Sequence, residues 1–485
     1  MTAIPQNPAI QGAVEWALLH GFSLKTAPGS ASHCAFSLTP TTIDTARFEH
    51  LKETVPLAGK LLHKVSEDHA FLQKAMAPVA GGDAFFDHLV QLHKKIHWGD
   101  EPARRIPMLF MRTDFMDDAE HGPRLIEFNG IAAGMGPFGQ RAHEMHGYLQ
   151  NQFATDFHHW SPVSSSAEEP LKLVDNPAIE QLAKGVAESA RAVRQSFNES
   201  GKPVFLMIVQ HDEDNVYDQH LLEEGIQAQG VRTVRRTFRE LYDQLSTGDD
   251  HRLLLKDIGS VDCIYLRAGY QYSDYIADDL IEPRCCDALV YTRVFMEKHH
   301  VAINATVSQQ LATSKRVQML LTGMSDEELS QFGLTKDEAI QIKSILGDMR
   351  PVSSTSTRWF KEQNPQDWVL KNQGEGGGHC VFGNDILPKL KSLTVAEYSA
   401  WSLMRRLHPA PRTQPALLVR KGQPMIVNDL ISEIGMFTVH LDGRPVTDFN
   451  GYAGYLIRSK PASVSEGGVH SGLGAADSLA FTPDS

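Results

Sequence analysis

The chain has few cysteines, no long apolar run and no excess of basic residues, and each shortage argues against a class of protein. Its five cysteines, Cys34, Cys263, Cys285, Cys286 and Cys380, include no CxxC pair, which fits a reducing compartment better than a disulfide framework. No apolar run approaches the roughly 20 residues that span a bilayer. The N-terminal segment lacks the basic start and apolar core of a signal peptide. We therefore predict a soluble, cytoplasmic protein without a membrane partner.

The net charge of -13 argues against a dedicated nucleic-acid binder, because such a protein needs a basic face. It leaves anionic small molecules open as ligands, since a few lysines and arginines can converge on one site. The length of 485 residues allows two to four domains or one elaborated multi-lobed enzyme.

Helical patterns fill the first hundred residues, and strand patterns follow them. Apolar residues at helical spacing predict helices over 9–19 and after Asp83, which can cap the second one. The stretches 106–112 and 124–129 predict two strands, and the polar segment 116–123 between them predicts a turn.

The middle of the chain predicts a βαβ unit over 202–238. Residues 204–209 are continuously apolar, as expected for a strand buried on both faces. Further along, two capping-box spacings mark helix starts, Ser325 with Glu328 and Thr335 with Glu338.

The last third of the chain predicts mostly strands after a boundary loop at 351–359. Turn signals at Lys421-Gly422 and Asp442-Gly443 separate the later strand patterns. These strand patterns cover 368–370, 416–420, 425–433 and 436–441.

A glycine-rich loop, KNQGEGGGHC at 371–380, is the most informative motif of the chain. Glycine lets backbone N–H groups approach a ligand closely, and successive N–H groups can form an anion-binding concavity. A lysine and a carboxylate, Lys371 and Glu375, accompany the glycines, which suggests polyphosphate with Mg²⁺. No Gly-Lys-Ser/Thr follows, so the motif is not a Walker loop. The alternative is a glycine-rich surface hairpin or linker.

Glu127 and Asn129 are two residues apart on a predicted strand and therefore share a face. Their oxygens could bind a hard cation together with Glu375, or they could form a simple polar pair at a strand end. The segment that follows, 134–139, matches G-x-G-x-x-G. We interpret that match as accidental, because no convincing second strand with an acid follows at the required spacing.

Two basic positions could act on phosphates or carboxylates. Arg458 and Lys460 share a face at the end of a predicted strand, where they could clamp anions or be a solvated basic strand end. Lys315 could bind phosphate or lie on a helix surface. The 22 histidines include no HExxH, and the adjacent pairs do not present i, i+4 ligands. The sequence therefore favours surface or core histidines over zinc ligands, and no G-x-S-x-G elbow is present.

Taken together, these segments resemble the eukaryotic-type glutathione synthetase family of ATP-grasp ligases. The resemblance covers nearly the whole chain. Its motifs are RTDFM at 112–116, IEFN at 126–129, EDNVYDQ at 213–219, RAGY at 267–270, ATSKRVQ at 312–318, KNQGEGGG at 371–378, ISEIG at 431–435, and IRSK with EGGVH within 457–470.

The resemblance implies specific roles for residues. The implied ATP site comprises Glu127, Lys315, Lys371, Gln373, Glu375, Gly376, Gly377, Gly378, Phe382, Met404, Leu407, Glu433, Lys460 and Glu466. The implied dipeptide and acceptor site comprises Arg112, Ile131, Ala132, Ala133, Gly134, Glu213, Asp214, Asn215, Gln219, Arg267, Ala268, Gly269, Tyr270, Arg458, Val469 and His470. Arg112, Lys371 and Arg458 would be catalytic, and Glu127, Asn129 and Glu375 would bind Mg²⁺.

Some positions depart from the family pattern and place the substrate in more doubt than the reaction type. Ala132 and Gly134 stand where serines are usual, and Ala268 stands where an aspartate is usual. Phe382 replaces a tyrosine near adenine, and His470 replaces a small alanine beside the glycine site. A same-chemistry ligase with another acceptor or donor, or a catalytically silent nucleotide-binding scaffold, remains an alternative.

The implied fold is α/β, an ATP-grasp fold with antiparallel sheets, an inserted parallel-sheet substrate domain and a mobile lid. The predicted parts are an N-terminal core at 1–200, an inserted domain at 201–300, a helical core part at 301–355, a lid at 356–430 and C-terminal strands at 431–485. The implied partners are ATP, γ-glutamylcysteine, glycine or a related amine, and a second copy of the chain in a homodimer.

Overall fold

A computed structural model describes residues 7–163, 170–277, 279–280, 287–374, 380–465, 467–469 and 474–483. The α-helices within these ranges, in chain order, are α1 Pro8–Leu19, α2 Thr45–Glu67, α3 His69–Met76, α4 Ala84–His97, α5 Gly136–Gln152, α6 Ala154–His159, α7 Ala178–Ser196, α8 Val216–Ala228, α9 Phe238–Tyr242, α10 Asp287–Glu297, α11 Val307–Ala312, α12 Lys315–Gly323, α13 Asp326–Ser330, α14 Lys336–Ile345, α15 Ser356–Phe360 and α16 Ile386–Ser392.

The strands are β1 Ser23–Ala27, β2 Ser30–His33, β3 Phe36–Ser37, β4 Thr41–Ile43, β5 Ile106–Asp118, β6 Gly122–Asn129, β7 Val204–Ile208, β8 Arg232–Arg236, β9 Leu245–Thr247, β10 Leu253–Leu255, β11 Gly259–Ser260, β12 Cys263–Leu266, β13 Ala302–Asn304, β14 Met349–Pro351, β15 Trp368–Lys371, β16 Cys380–Phe382, β17 Ser402–Arg405, β18 Ala416–Arg420, β19 Gln423–Val427, β20 Leu430–Leu441, β21 Arg444–Pro445, β22 Tyr452–Pro461, β23 Ala475–Asp477 and β24 Leu479–Phe481.

A mixed sheet of thirteen strands dominates the described structure, with the order β19-β18-β3-β23-β22-β20-β5-β13-β12-β7-β8 and with β6 and β21 paired to β5 and β20. Strand β5 joins two halves of this sheet. One edge of β5 pairs with β20, and its other edge pairs first with β13 and then with β6. The predicted α/β class with parallel and antiparallel parts is confirmed.

The parallel half consists of β5, β13, β12, β7 and β8, whose neighbours all run in the same direction. Strand β7 is buried at every position, as its continuous apolar run predicts. Helix α8 connects β7 to β8, so the predicted βαβ unit is confirmed. Apolar clusters lie on the described sheet, one packed by α2 and α4 and the other by α5 and α7.

A separate antiparallel sheet, with the order β14-β17-β15-β16, carries the ends of the glycine-rich loop. It has an apolar cluster of its own, which includes Phe360, Trp368, Ile386 and Leu403. This cluster makes the small sheet a packing unit distinct from the large one. The division of the chain into five parts stays a prediction.

Local signals in the sequence identify several element ends correctly. The side chains of Asp83, Ser325 and Thr335 cap α4, α13 and α14, the last two through complete capping boxes. Lys421 and Gly422 both have positive φ angles, as the tight turn between β18 and β19 requires. Within the described residues, no helix is both long and apolar enough to cross a bilayer.

Other expectations about the elements are wrong. The first hundred residues are not all helical, because β1 to β4 lie between Ser23 and Ile43. Strand β5 runs on to Asp118, so the turn predicted over 116–123 is much shorter. The predicted loop at 351–359 contains most of α15. One continuous strand, β20, replaces the predicted break after 433, because Gly435 pairs within the ladder opposite Asp114.

Candidate active site

A cavity of about 710 Å³ opens between the antiparallel half of the large sheet and the small sheet. That volume is within the range of small-molecule sites. Strands β5, β6, β20 and β22 supply one wall, the small sheet faces it, and the segment after β22 closes one side. The cavity brings together residues from both ends of the chain.

Strand register places the charged residues of this wall on one face. Arg458 of β22 lies opposite Glu433 of β20, and Asp114 of β5 lies opposite Glu127 of β6. Residues two apart on a strand share a face. Lys460 and Asn129 therefore point the same way as their charged neighbours, as the sequence predicts.

Arg458 links two of the strands through carboxylates. Its Nη2 lies 3.0 Å from Oδ2 of Asp114 and 2.9 Å from Oε2 of Glu433. Lys460 Nζ lies 2.8 Å from the other oxygen of Glu433 and donates to the carbonyl of Ser465. Burial disfavours ionised Glu433, but Arg458 and Lys460 outweigh that effect and hold its pKa below the ordinary value.

Asp114 is a central residue of the site that the sequence analysis misses. It is fully buried and accepts hydrogen bonds from Arg112 at 2.6 and 2.8 Å and from the amide of Asn129 at 3.0 Å. Burial disfavours the charge of Arg112, but Asp114 outweighs that penalty, so the pKa of the guanidinium stays above its ordinary value. The signal available in the sequence is the two-residue spacing of Arg112 and Asp114 on a predicted strand.

Glu127 pairs with the lysine at the start of α12. Oε2 of Glu127 lies 2.9 Å from Nζ of Lys315. Burial opposes ionisation of Glu127, but Lys315 and Lys371 outweigh burial and hold its pKa well below the usual range. Glu127 is therefore ionised at neutral pH.

A β-bulge at Ile126 directs the carbonyl of this residue to the cavity side of β6. Between Asp114 and Phe115 the register with β6 shifts by one residue, which releases the Ile126 carbonyl from the ladder. Lys371 donates to that carbonyl at 3.4 Å, and Gln318 donates to it at 3.2 Å. The bulge therefore fixes where the Lys371 ammonium enters the cavity.

The described part of this wall carries more positive than negative charge. Its cations are Arg112, Lys315, Lys371, Arg458 and Lys460, and its carboxylates are Asp114, Glu127 and Glu433. Such an excess in a concave site favours a polyanionic ligand.

The loop after β6 forms the other end of the cavity and rests on the parallel half of the sheet. Arg267 contacts it through the Ala132 carbonyl at 3.3 Å and pairs with Glu213 at 3.2 Å. Asp218 accepts from the backbone N–H of Met135 at 2.8 Å at the start of α5. Asp218 was not among the predicted site residues, although it lies within the EDNVYDQ motif.

Gly134 leaves room for Arg267. A Cβ atom at position 134 would lie 1.7 Å from Nη1 of Arg267. Burial disfavours the charge of Arg267, but Glu213 outweighs it, so the pKa of this arginine is raised. A side chain at position 134 would therefore have to displace a charged and paired group.

Apolar side chains line the part of the cavity nearest the small sheet. Predicted residues Phe382, Met404 and Leu407 line it together with Val369 and Ile431, which were not predicted. An apolar wall beside an excess of cations suits a ligand with a flat apolar part and a charged tail.

Most of the predicted site residues that the structure describes line this one cavity. Those that do so are Arg112, Glu127, Asn129, Ile131, Ala132, Gly134, Glu213, Asn215, Arg267, Tyr270, Lys315, Lys371, Phe382, Met404, Leu407, Glu433, Arg458, Lys460 and Val469. Ala133, Asp214, Gln219, Ala268, Gly269 and Gln373 do not belong to its described lining. Glu375, Gly376, Gly377, Gly378, Glu466 and His470 lie outside the described residues.

Gln373 supports the site from behind. It is fully buried, accepts a hydrogen bond from the N–H of Arg316 at 3.0 Å and donates to the Ala400 carbonyl at 3.1 Å. The bond from Arg316 ties the start of the glycine-rich loop to the first turn of α12. Gln373 therefore positions the loop near Lys315.

The donor set on β6 fits a hard cation such as Mg²⁺. Glu127 offers a carboxylate, and Asn129 uses its amide nitrogen on Asp114, which leaves the amide oxygen as its ligand atom. Mg²⁺ takes oxygen ligands and usually one or two carboxylates. Both side chains line the cavity.

Two glycines of the G-x-G-x-x-G match are explained by close packing. A Cβ at Gly139 would lie 2.0 Å from the carbonyl oxygen of Tyr455, and one at Gly136 would lie 2.5 Å from Leu182. Strand β6 before this segment pairs with β5 in an antiparallel ladder. The glycines therefore permit close packing of α5, in agreement with the interpretation of the match as accidental.

Comparison with known protein families shows which proteins this chain is similar to. A family model described as "Eukaryotic glutathione synthase, ATP binding domain" matches residues 6–481. The chain is 28% identical over 462 residues to the chloroplastic glutathione synthetase of Solanum lycopersicum, which covers 94% of this chain and 79% of that protein. It is 27% identical over 480 residues to the glutathione synthetase of Homo sapiens, covering 96% and 94%.

The fold also has a solved counterpart. The structure of a glutathione synthetase-like effector from Globodera pallida, in apo form, superposes with a TM-score of 0.71 at 18% identity. The match covers 99% of each chain. At this identity the likeness concerns the fold.

Proposed function

The chain belongs to the eukaryotic glutathione synthase family, and from that premise we propose that it is an ATP-dependent ligase that joins glycine to γ-glutamylcysteine. The observation that carries the proposal is the cation-rich wall built by β5, β6, β20 and β22 beside an apolar wall. The polyphosphate of ATP matches the cations, and adenine matches the apolar side chains.

The proposed reaction has two steps. An oxygen of the C-terminal carboxylate of γ-glutamylcysteine attacks the γ-phosphorus of ATP, which forms an acyl phosphate and releases ADP. The glycine amine, after loss of a proton, attacks the acyl carbon, and inorganic phosphate leaves with the C–O bond electrons. The protein need supply no nucleophile, because phosphoryl transfer relies on positioning and charge stabilisation.

Three lysines are proposed to neutralise phosphate charge, namely Lys315, Lys371 and Lys460. Each lies on the cavity wall, and each contacts a carboxylate or carbonyl oxygen of the protein. These contacts hold the ammonium groups at the wall before ATP enters. Gln373 supports the segment that carries Lys371.

Three arginines are proposed to orient substrate carboxylates, namely Arg112, Arg267 and Arg458. Asp114 fixes both Arg112 and Arg458, and Glu213 fixes Arg267. Arginine is suited to this task because its planar guanidinium binds carboxylates through two parallel hydrogen bonds. Glu213, Asn215 and Tyr270 are proposed to contact the dipeptide.

Glu127 and Asn129 would hold Mg²⁺, with Glu375 as a third ligand proposed from the sequence alone. When bound, Mg²⁺ would neutralise phosphate charge. The glycine-rich loop and the segment around Val469 would exclude water from the acyl phosphate. A cytoplasmic location, inferred from the cysteine usage and the N-terminal segment, and a homodimer, implied by the resemblance, belong to the same proposal.

A second candidate is the same chemistry with another acceptor or donor. The specific observation in its favour is that Arg267 occupies the space beside Gly134, where the family usually has a serine. A serine at this position would displace Arg267, so the dipeptide end of the cavity departs from the family pattern. A silent scaffold is less well supported, since the lysines and Glu127 are all present at the cavity.

Release of ADP by the purified protein tests these proposals. The protein is supplied with Mg·ATP, γ-glutamylcysteine and one amine at a time: glycine, β-alanine, serine, alanine or taurine. We expect rapid release with glycine. Rapid release with another amine would replace glutathione by the corresponding product, and ATP binding without turnover in the whole panel would contradict both ligase proposals for this donor.

A further inference from the structure

Three histidines outside the cavity lie together where helices α3 and α4 meet. His69 is the first residue of α3, and His93 and His97 are one helical turn apart on α4. None of the three belongs to the described lining of the candidate active site. The adjacent histidine pairs considered in the sequence do not include these three residues.

The three imidazoles are close enough to share one ion. Each offers a ligand nitrogen, and these atoms all lie within 4.8 Å of one another. The ring centroids of His69 and His97 are 3.5 Å apart, and those of His93 and His97 are 4.7 Å apart. Residues i and i+4 on a helix share a face, so α4 presents two of the nitrogens side by side.

Two nitrogens of the cluster are buried without a partner. Within the described residues, Nε2 of His93 and Nδ1 of His69 have no hydrogen-bond partner, and His93 is completely buried. Leaving a buried polar atom unsatisfied costs free energy, and such atoms call for an explanation such as an ion. Close packing of aromatic rings alone would leave both nitrogens unsatisfied.

Two further nitrogens of the cluster lie within hydrogen-bond distance of polar side chains. The side-chain amide of Gln73 contacts Nδ1 of His93 at 2.7 Å, and the hydroxyl of Ser308 contacts Nε2 of His97 at 3.1 Å. A metal-binding imidazole usually donates its second ring N–H to an acceptor, which fixes the ring and its tautomer. Metal binding at Nε2 of His93 therefore requires the Gln73 amide turned by half a turn, so that its oxygen accepts from Nδ1. Each of these two rings therefore keeps the other nitrogen for a ligand.

The arginine beside the cluster is compensated by two carboxylates. Arg105 lies close enough to affect these histidines, but its guanidinium is 2.8 Å from Glu67 and 3.4 Å from Glu297. A divalent ion among the imidazoles would therefore not face an unpaired cation at Arg105.

We propose that His69, His93 and His97 form a binding site for a divalent transition-metal ion, with Zn²⁺ as the best match. Three neutral imidazoles and a water molecule suit zinc, which binds four ligands in a tetrahedron. Zinc–nitrogen distances of about 2.0–2.1 Å need nitrogens about 3.4 Å apart, so a ring rotation closes the site. His69 and His97 are half-buried, which leaves solvent a path to the ion.

The ion would tie three helices together. It would join α3 to α4, and the contact of His97 with Ser308 extends this link to α11. Helix α11 leads directly into Ser314 and Lys315 at the start of α12. The site is therefore a structural clamp next to the helix that carries a proposed phosphate-binding lysine.

Zinc stoichiometry tests the proposal on full-length protein without a polyhistidine tag. The protein is stripped with a chelator, saturated with Mg·ATP to occupy the oxygen-rich site, mixed with Zn²⁺ and separated from free ion by gel filtration. The variants are His69→Gln and His93→Gln, and the control is His121→Gln, whose side chain is 57% exposed. Titration with Co²⁺ adds a visible spectrum that reports nitrogen ligands and coordination number.

We expect one zinc ion per chain in the wild type and in His121→Gln, and loss of that ion from both cluster variants. Zinc should also raise the unfolding temperature of the wild type and leave that of the cluster variants unchanged, since a ligand of the native state stabilises it. No retained zinc in the wild type, or equal zinc in all variants, would overturn the proposal. If His93→Gln does not fold, the half-buried His69→Gln decides the result, with circular dichroism as the check on folding.

Discussion

Two clusters of buried ion pairs lie on the same large sheet, and they differ in how completely their charges are balanced. The first cluster lines the cavity and contains Asp114, Glu127 and Glu433 with an excess of cations. The second contains Arg194, Arg252, Glu199 and Asp262 and lies beside the parallel strands. The two clusters use the same functional groups.

The second cluster pairs two arginines with two carboxylates. Asp262 is fully buried and accepts from Arg194 at 2.9 Å, from Arg252 and from the N–H of Val204 at 2.7 Å. Glu199 accepts from both arginines and from Ser260. Every charge has a counter-charge within the cluster, which leaves little for a ligand to bind.

In the cavity cluster, cations outnumber carboxylates. Contacts with oxygen atoms of the protein hold these cations at the cavity wall. Arg458 shares two carboxylates with its neighbours, and Lys371 contacts a carbonyl oxygen. Buried ion pairs alone therefore do not identify a binding site. An uncompensated charge facing a cavity does, because a ligand must supply the missing anion.

The largest expected effect is a loss of stability when a charge is removed from the second cluster, in which every charge is paired. Asp262→Asn should destabilise the protein by about 3–5 kcal/mol, because it leaves two buried arginines short of one negative charge. The rate of ADP release should stay near that of the wild type at temperatures well below unfolding. Denaturant unfolding measures the change, and Asp257→Asn, an exposed acid of the same segment, is the matched control.

A large loss of activity from Asp262→Asn at an unchanged fold would contradict the division between the two clusters. The same holds if Asp257→Asn destabilises the protein as much as Asp262→Asn does. Either outcome would show that burial and charge balance do not decide the effect.

The next effect should be catalytic. Lys315→Met should lower kcat about 10²–10³-fold, the usual loss when one preorganised charge at a transition state is removed. The unfolding midpoint should also fall, because Glu127 loses the nearest counter-charge that keeps it ionised, so the rates are compared well below the unfolding temperature. Steady-state ADP release measures the loss, and Lys336→Met, an exposed lysine at the start of α14, is the control.

A third expectation concerns a buried carboxylate that is held by hydroxyl groups. Ser459 and Thr41 donate to Asp477, yet burial outweighs these bonds and raises the pKa of Asp477 to about 6. The native state therefore holds the proton more tightly than the unfolded state. This group stabilises the fold below about pH 4, and that contribution is lost as the pH rises towards 6, by about 1.4 kcal/mol per pH unit at most.

Comparison of the wild type with Asp477→Asn over pH 4–8 isolates this effect from other titrating groups. The variant should gain stability relative to the wild type as the pH rises through 6. A difference between the two proteins that does not change with pH would show that the hydroxyl donors compensate the buried charge.

Asp114→Asn should have a smaller effect, which combines a loss of activity with a loss of stability. We expect kcat/KM for γ-glutamylcysteine to fall about tenfold, equivalent to about 1.4 kcal/mol, because Arg112 and Arg458 lose the charge that fixes them. The stability cost should be below that of Asp262→Asn, since Arg458 faces the cavity. Kinetics with each substrate varied in turn measures the effect, and a change confined to the KM for ATP would contradict this role.

The smallest effect is expected at the surface. Arg239 pairs with Asp279 at 2.6 Å and Asp243 at 2.8 Å, and all three side chains are at least a third exposed. Solvent and salt screen such pairs. Arg239→Ala should therefore leave the unfolding midpoint and ADP release unchanged, and a clear shift in either would show that geometry rather than burial sets the strength of an ion pair.

Local rules explain which features the sequence predicts. Capping boxes at Ser325 and Thr335, the Lys421-Gly422 turn and the apolar run of β7 depend on neighbours a few residues away. The spacing of Glu127 with Asn129 and of Arg458 with Lys460 predicts a common face, since side chains alternate along a strand. Family resemblance extends these local signals to just over half of the residues in the described cavity lining.

Residues missed from the sequence depend on contacts between distant segments. Asp114 acquires its importance from Arg458, which lies 344 positions away in the chain. The three histidines become a group because α3 packs beside α4. No spacing rule reports such contacts.

The sequence by itself determined many of the element types, the glycine-rich loop, the paired polar residues of the strands and the family. Tertiary structure alone decided that β5 joins the two halves of the sheet, that Gln373 supports the site from behind, and that one ion cluster faces a cavity while the other is closed. The physical reason is the distance along the chain over which each kind of interaction acts. Backbone preferences and side-chain alternation act over a few residues, whereas charge balance and burial depend on which distant strands become neighbours.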